Sequence, residues 1–117
     1  MLGLLYRYRD TIAFPKQLNE PLKQCILDFK YWHDEPGADA MCYTTENHSI
    51  LFHACEILAG QLYPDEVFSN TGQTGQWHRE KGERLALAWL RQRGTTGFTE
   101  WDSNCYFEED LLALSHL

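Results

Sequence analysis

The chain has no surplus of positive charge, no cysteine pair at metal-ligating spacing and no long apolar run, and each absence removes a class of function. Ten Lys and Arg against 17 Asp and Glu leave a formal net charge of −7. No basic stripe exists to displace phosphate counterions, so neither nucleic acid nor an anionic membrane surface is an expected partner. No apolar stretch approaches the roughly 18 residues a spanning helix requires, and Met1-Leu2-Gly3-Leu4-Leu5 is interrupted by Arg7 and Arg9 before a signal-type core can form. The chain therefore reads as soluble, with its compartment open. Cys25, Cys42, Cys55 and Cys105 contain no C-x-x-C pair, which argues against a thiolate metal site or a redox motif. Buried free thiols acting as small hydrophobes are expected instead.

What is present is ordinary globular material. With 117 residues, 44% hydrophobic and 23% charged, the sequence can build one cored domain over 1-117. Leu18, Leu22, Cys25, Phe29 and Trp32 recur at helical spacing, which predicts a helix from about Pro21 to Trp32 with Asn19 or Glu20 at its cap. A Pro-Gly turn follows at Pro36-Gly37. A second helix is expected to use Asn47 or a neighbouring Thr as its N-cap and to run to about Gly60, burying Leu51, Ala54, Ile57 and Leu58. Ser69 to Gly75 reads as a loop. A third helix is expected from Gln76 to Arg93, with His78, Gly82, Leu85 and Trp89 on one stripe and Gly94 as its stop. A fourth begins near Glu108 and is still apolar at Leu117, while Leu4, Leu5 and Tyr8 read as the tail of an earlier helix. The fold class is all-α, built from antiparallel helical hairpins and expected to be part of something larger.

Two polar segments stand out. Thr45-Glu46-Asn47-His48 runs straight into a helix, and Thr99-Glu100-Trp101-Asp102-Ser103-Asn104 precedes Tyr106 and another helical pattern. Successive hairpins would gather both rims at one end.

These segments, taken with Tyr31 to Gly37, Leu58 to Asp65 and Thr71 to Gly75, resemble a group of large, mostly uncharacterised bacterial proteins. That group is similar to the (α/α) toroid superfamily, in which helical hairpins close into a ring and to which heparinase, alginate lyase and chondroitin lyase-like enzymes belong. The resemblance covers nearly the whole chain from about Phe14. It implies a partial toroid and carbohydrate chemistry, either a polysaccharide lyase or a glycoside hydrolase. A lyase must neutralise a uronate carboxylate, remove the adjacent proton and protonate the leaving oxygen. By the resemblance, Asn47 would neutralise, His48 or Tyr106 would take the proton, and a Tyr such as Tyr106 would donate it. The chain departs from that template in having few hairpins and no basic cluster for a polyanionic glycan.

Read from the residues themselves, Glu46 and Glu100 occupy equivalent places in the two rims and suit an acid and base pair if their carboxyls lie about 5 to 10 Å apart. The alternative is that each acid only binds its loop or caps a helix. Asn47 suits an N-cap equally well, and His48 suits a packed surface position. Trp101, Asn104 and Trp32 are the candidates for contacting sugar, Trp101 above all, since Trp89 belongs to a core stripe. His53 and Glu56 are three apart but have no third ligand in register, so neither a metal nor any other cofactor is expected. Open apolar edges point to a homo-oligomer, or to contact with further parts of a longer protein. If the rims do no chemistry, the same edges would make the chain a noncatalytic helical interaction module.

Overall fold

The computed structural model describes residues 1–117 and is mostly helical, with five α-helices and one two-stranded ribbon. Helix α1 spans Leu2–Tyr8, α2 Asn19–Leu27, α3 Glu46–Leu62, α4 Gly75–Thr96 and α5 Tyr106–Leu114. Strands β1 (Val67–Phe68) and β2 (Gln73–Thr74) pair antiparallel between α3 and α4, with Val67 opposite Thr74 and Phe68 opposite Gln73. No helix is long and apolar enough to cross a membrane.

The hairpin of α3 and α4 is the spine. Its two helices run antiparallel, since Gly60 meets Gly75 and Arg79, Gly82 meets Ile57, and the Trp89 indole donates to the Glu46 carbonyl at 3.1 Å. Glycine at 60 and 82 permits this approach. A Cβ on Gly60 would sit 2.6 Å from the Arg79 nitrogen, and one on Gly82 would sit 2.9 Å from Ile57 Cγ1. Gly60 therefore lies inside α3, which continues to Leu62 where the sequence predicted a stop. Gly94 likewise lies inside α4, and the helix ends two residues after it, at Thr96. Gly97 adopts φ +75°, a left-handed conformation that terminates the helix at low cost.

Helix α2 is shorter than its apolar spacing suggested. Pro21 sits in the first turn, where a missing N–H costs nothing. Beyond Leu27 the chain leaves the helix so that Tyr31 can bury itself, its hydroxyl donating to the Ile26 carbonyl at 2.9 Å and its N–H to Glu35 Oε2 at 2.8 Å. Ile26 and Leu27 are buried as a result, while Leu18, Cys25 and Phe29 from the predicted stripe stay exposed. The expectation of buried thiols fails for the same kind of reason. Cys25, Cys42 and Cys105 are exposed, Cys55 is half-buried, and all four are free. The segment 69–75, read as loop, instead contributes Gln73–Thr74 to the ribbon and holds the fully buried Phe68 against α4.

Two apolar cores flank α3. One gathers Leu2, Leu5, Phe14, Ile26, Leu27, Tyr31, Ala59 and Phe68 under α1 and α2. The other joins Ile50, Ala54 and Ile57 of α3 to Ala86 and Trp89 of α4 and Ala113 of α5. Tyr6 fastens α1 to the spine by donating to the Leu58 carbonyl at 2.8 Å.

Candidate functional site

At one end of the spine the first turn of α3, the last turn of α4, the loop 97–105 and α5 converge. Glu46 organises this end. Its carboxylate accepts from the Thr99 hydroxyl at 2.6 Å, the Thr99 N–H at 3.0 Å and the Glu100 N–H at 3.5 Å, and it forms an ion pair with Arg93. The two polar segments singled out in the sequence are thus joined directly through one side chain. A carboxylate in the first turn of α3 also suits the positive end of that helix.

Beneath the loop, carboxylate oxygens of Glu46, Glu100 and Asp110 lie within 4.8 Å of one another. Asp110 is fully buried, and neither of its oxygens has a hydrogen-bond partner. Glu100 Oε2 and Arg93 Nε are also buried without partners. Burial, with Glu100 adding to it and Arg93 opposing it, raises the Asp110 carboxyl to about 6.

Above these acids Trp101, Asn104 and Tyr106 face outward. Trp101 is 65% exposed, yet its ring is anchored edge-on to Phe107 at 5.3 Å. Asn104 and Tyr106 are exposed, and the Tyr106 N–H is capped by the Ser103 hydroxyl at 3.1 Å. Asp102, at φ +67°, makes the left-handed turn that separates Trp101 from this group, a conformation Asp tolerates better than most residues. His48 is half-buried and its Nδ1 hydrogen-bonds with the Thr45 hydroxyl. If that ring nitrogen carries the proton, Nε2 keeps its lone pair. Asn47 is buried, with Oδ1 unpartnered, and Thr45 rather than Asn47 occupies the N-cap position. Trp32 lies elsewhere, half-buried against His53 at 4.4 Å and edge-on to Tyr43 at 5.4 Å.

A second polar cluster sits further along the spine and was not singled out as a site by the sequence. Lys81 donates to Glu35 at 2.7 Å and Asp34 at 2.8 Å, and stands 3.6 Å from Glu56. The two nitrogens of His78 are bonded to Glu56 Oε1 at 2.9 Å and the Thr71 hydroxyl at 2.8 Å. Asn70 and the Tyr31 N–H complete Glu35. Desolvation raises the Glu56 carboxyl, with His78 and Lys81 opposing it, while the hydrogen bonds of Lys81 to Asp34 and Glu35 overcome its own burial and hold it charged. Glu35, Glu56 and His78 have metal-ligating types at close range, but the Lys81 ammonium already supplies the positive charge they need. The cluster works as a buried tie between the 28–45 segment, the ribbon and the spine. His53, three residues before Glu56 on α3, is buried and pushed down to about 4 by desolvation and by Lys81.

Helical spacing contained clues to what was missed. Arg93 continues the stripe of His78, Gly82 and Trp89, and Asp110 falls between Phe107 and Ala113 on the buried face of α5.

No family model, curated protein or solved structure matches this chain.

Proposed function

We propose that this chain is a helical-hairpin part of a carbohydrate-handling protein of (α/α) toroid-like build, whose glycan-facing surface is the end of the spine organised by Glu46. The observation that carries this reading is the joining of α3's polar start to the loop bearing Trp101 through the Glu46 carboxylate. It is supported by a large, exposed, ring-anchored indole in the same loop as the exposed amide of Asn104, with the exposed phenol of Tyr106 at the start of α5. An apolar ring face with polar groups at its edge suits a sugar, which presents C–H groups on one face and hydroxyls around its rim.

The charge of the site favours a neutral glycan. Three carboxylates against one guanidinium leave the ground under the rim negative, which opposes a polyuronate. Glu46 is committed to Thr99, Glu100 and Arg93, so it positions the loop and is not free to act as acid or base. His48 is the rim group with a ring nitrogen suited to accept a proton, and it carries the lyase version of the reading. Calorimetric titration with neutral and uronate oligosaccharides is the test. Trp101→Ala should weaken neutral-glycan binding by about tenfold while leaving the far-ultraviolet spectrum unchanged, in keeping with aromatic contacts of about 1 kcal/mol or more. Absence of binding to every glycan class would overturn the reading. The lyase version requires an ultraviolet-absorbing unsaturated product that disappears in His48→Ala.

A second reading, a noncatalytic helical module that self-associates, is favoured by a different observation. An apolar groove of about 280 Å³ opens among α1, α2, α3 and α5, with Leu2, Ile26, Phe29, Leu51, Leu58 and Leu112 in its walls. Concentration-dependent sedimentation that Leu112→Glu abolishes and Trp101→Ala leaves intact would support it.

A further inference from the structure

We infer that the carboxylates of Glu46, Glu100 and Asp110 form a binding site for a hard divalent cation of the calcium, manganese or magnesium class, seated beneath the Trp101 loop. The inference stands apart from the glycan reading and does not require it.

The three side chains bring their carboxylate oxygens within 4.8 Å of one another, and Arg93 pairs with Glu46. Two carboxylates remain without a counter-charge. Isolated buried carboxylates are among the costliest groups a fold can hold, and they persist only when paired, protonated or bound to a metal.

Hydrogen bonding gives a separate indication. Asp110 is wholly buried, aimed at Glu46 and Glu100, and has no partner on either oxygen. Glu100 Oε2 is in the same condition. In the other buried cluster a lysine ammonium bridges Glu35 and Asp34 and lies beside Glu56, so the chain supplies its own cation there. Here the nearby cation, Arg93, is paired with Glu46, and no hydrogen bond reaches either oxygen of Asp110. The donors are all oxygen, a set that selects calcium, magnesium or manganese over softer ions such as zinc or copper. They come from α3, from the 97–105 loop and from α5, so a bound cation would fasten the loop to both helices.

The test uses the intact chain after exhaustive chelation. Terbium, added as a calcium mimic, should show tryptophan-sensitised emission, because Trp89 donates to the Glu46 backbone and Trp101 adjoins Glu100. Calcium, manganese or magnesium at about 5 mM should raise the melting midpoint by about 5 °C, as expected for a ligand that binds only the folded state. Asp110→Asn and Glu100→Gln, nearly isosteric with the residues they replace, should each abolish both responses. Wild-type protein that shows neither sensitised emission nor a rise in midpoint overturns the inference, and so does a response that survives in the Asp110→Asn, Glu100→Gln double variant.

Discussion

The spine carries two buried acidic clusters that are built alike and completed differently. Around Lys81, the carboxylates of Glu35 and Glu56 meet an ammonium, an imidazole, an amide and a backbone N–H. Around Arg93, the guanidinium is committed to Glu46, and Asp110 is left with no partner. The first arrangement joins segments far apart in sequence, from Asp34 to Lys81, and buries Glu35, Glu56, His78 and Lys81, with Asp34 at its exposed edge. The second lies under an exposed loop and retains unspent charge. Glu56 Oε2 also lacks a hydrogen-bond partner, but the Lys81 ammonium 3.6 Å from Glu56 balances its charge. Charge-balanced polar clusters specify a fold, whereas unbalanced ones call for a proton, an ion or a ligand.

Removing the central charged side chain of each cluster should expose the difference most strongly. Lys81→Met leaves Glu35 and Glu56 facing one another in the interior, and the cost should be about 3 to 5 kcal/mol. Chemical denaturation will measure it, and a loss below about 1 kcal/mol would show that His78 alone suffices. Glu46→Ala should cost less, about 2 to 3 kcal/mol, because it strands Arg93 and releases the Thr99 and Glu100 amides. Its mark should be local, with faster amide exchange in residues 97 to 105 and little change around Phe68. Asp110→Asn should run the opposite way. Replacing an unpartnered buried carboxylate by an amide is expected to be neutral or stabilising by about 1 to 2 kcal/mol near pH 7.5 without divalent ions.

How far the sequence disclosed these clusters depends on what kind of signal each residue carries. The spine was readable because α3 and α4 have long apolar periodicities, and both polar segments of the rim were visible as residue types ahead of helical patterns. Helix ends were less readable. Gly60 and Gly94 look like stops, yet Gly60 serves close helix packing and Gly97 supplies the left-handed residue that ends α4. The truncation of α2 depends on Tyr31 and Glu35 reaching partners beyond the helix, a tertiary demand that local spacing does not encode. Lys81 and Asp110 are charged residues on buried faces, and charge alone assigns them to solvent. Only their register with Trp89 and Ala113 points inward. The meeting of Glu46 with Thr99 spans 53 residues and follows from the antiparallel hairpin, so it could be anticipated as a shared end but not as a hydrogen bond.

Acid titration offers a smaller but sharper contrast between the clusters. His53 titrates at about 4 when folded against an ordinary value of 6.5, so the stability it contributes is present above about 6.5 and is lost as pH falls towards 4. Asp110 has the opposite sense. Its folded value of about 6 lies above the ordinary 3.8, so its contribution is present below about 3.8 and is lost as pH rises through 6. Between about pH 4 and 6 the two slopes oppose each other. Asp110→Asn removes one of them, and its melting midpoint should therefore fall more steeply than that of the wild type on acidification through this window. Parallel midpoint curves for the two proteins, recorded by circular dichroism, would remove Asp110 from the balance.

The smallest expected effect on stability falls at the most exposed rim residue. Trp101 is 65% exposed and touches the fold through Phe107, so Trp101→Ala should shift stability by less than about 1 kcal/mol, as for other surface positions without a cap, cavity or buried partner. Phe107 retains its edge-on contact with Phe98 at 5.3 Å, which keeps the loop's apolar anchor in place. A tryptophan kept at the surface with so little stake in folding has its area free for a ligand, and that separation gives the rim a clean test. If Trp101→Ala unfolds the loop, measured as amide exchange spreading to Thr99 and Glu100, the indole is a packing element and not a sugar platform. If exchange stays fixed while glycan affinity falls, the two ends of the comparison are set: Lys81 holds the fold from inside, and Trp101 serves what lies outside it.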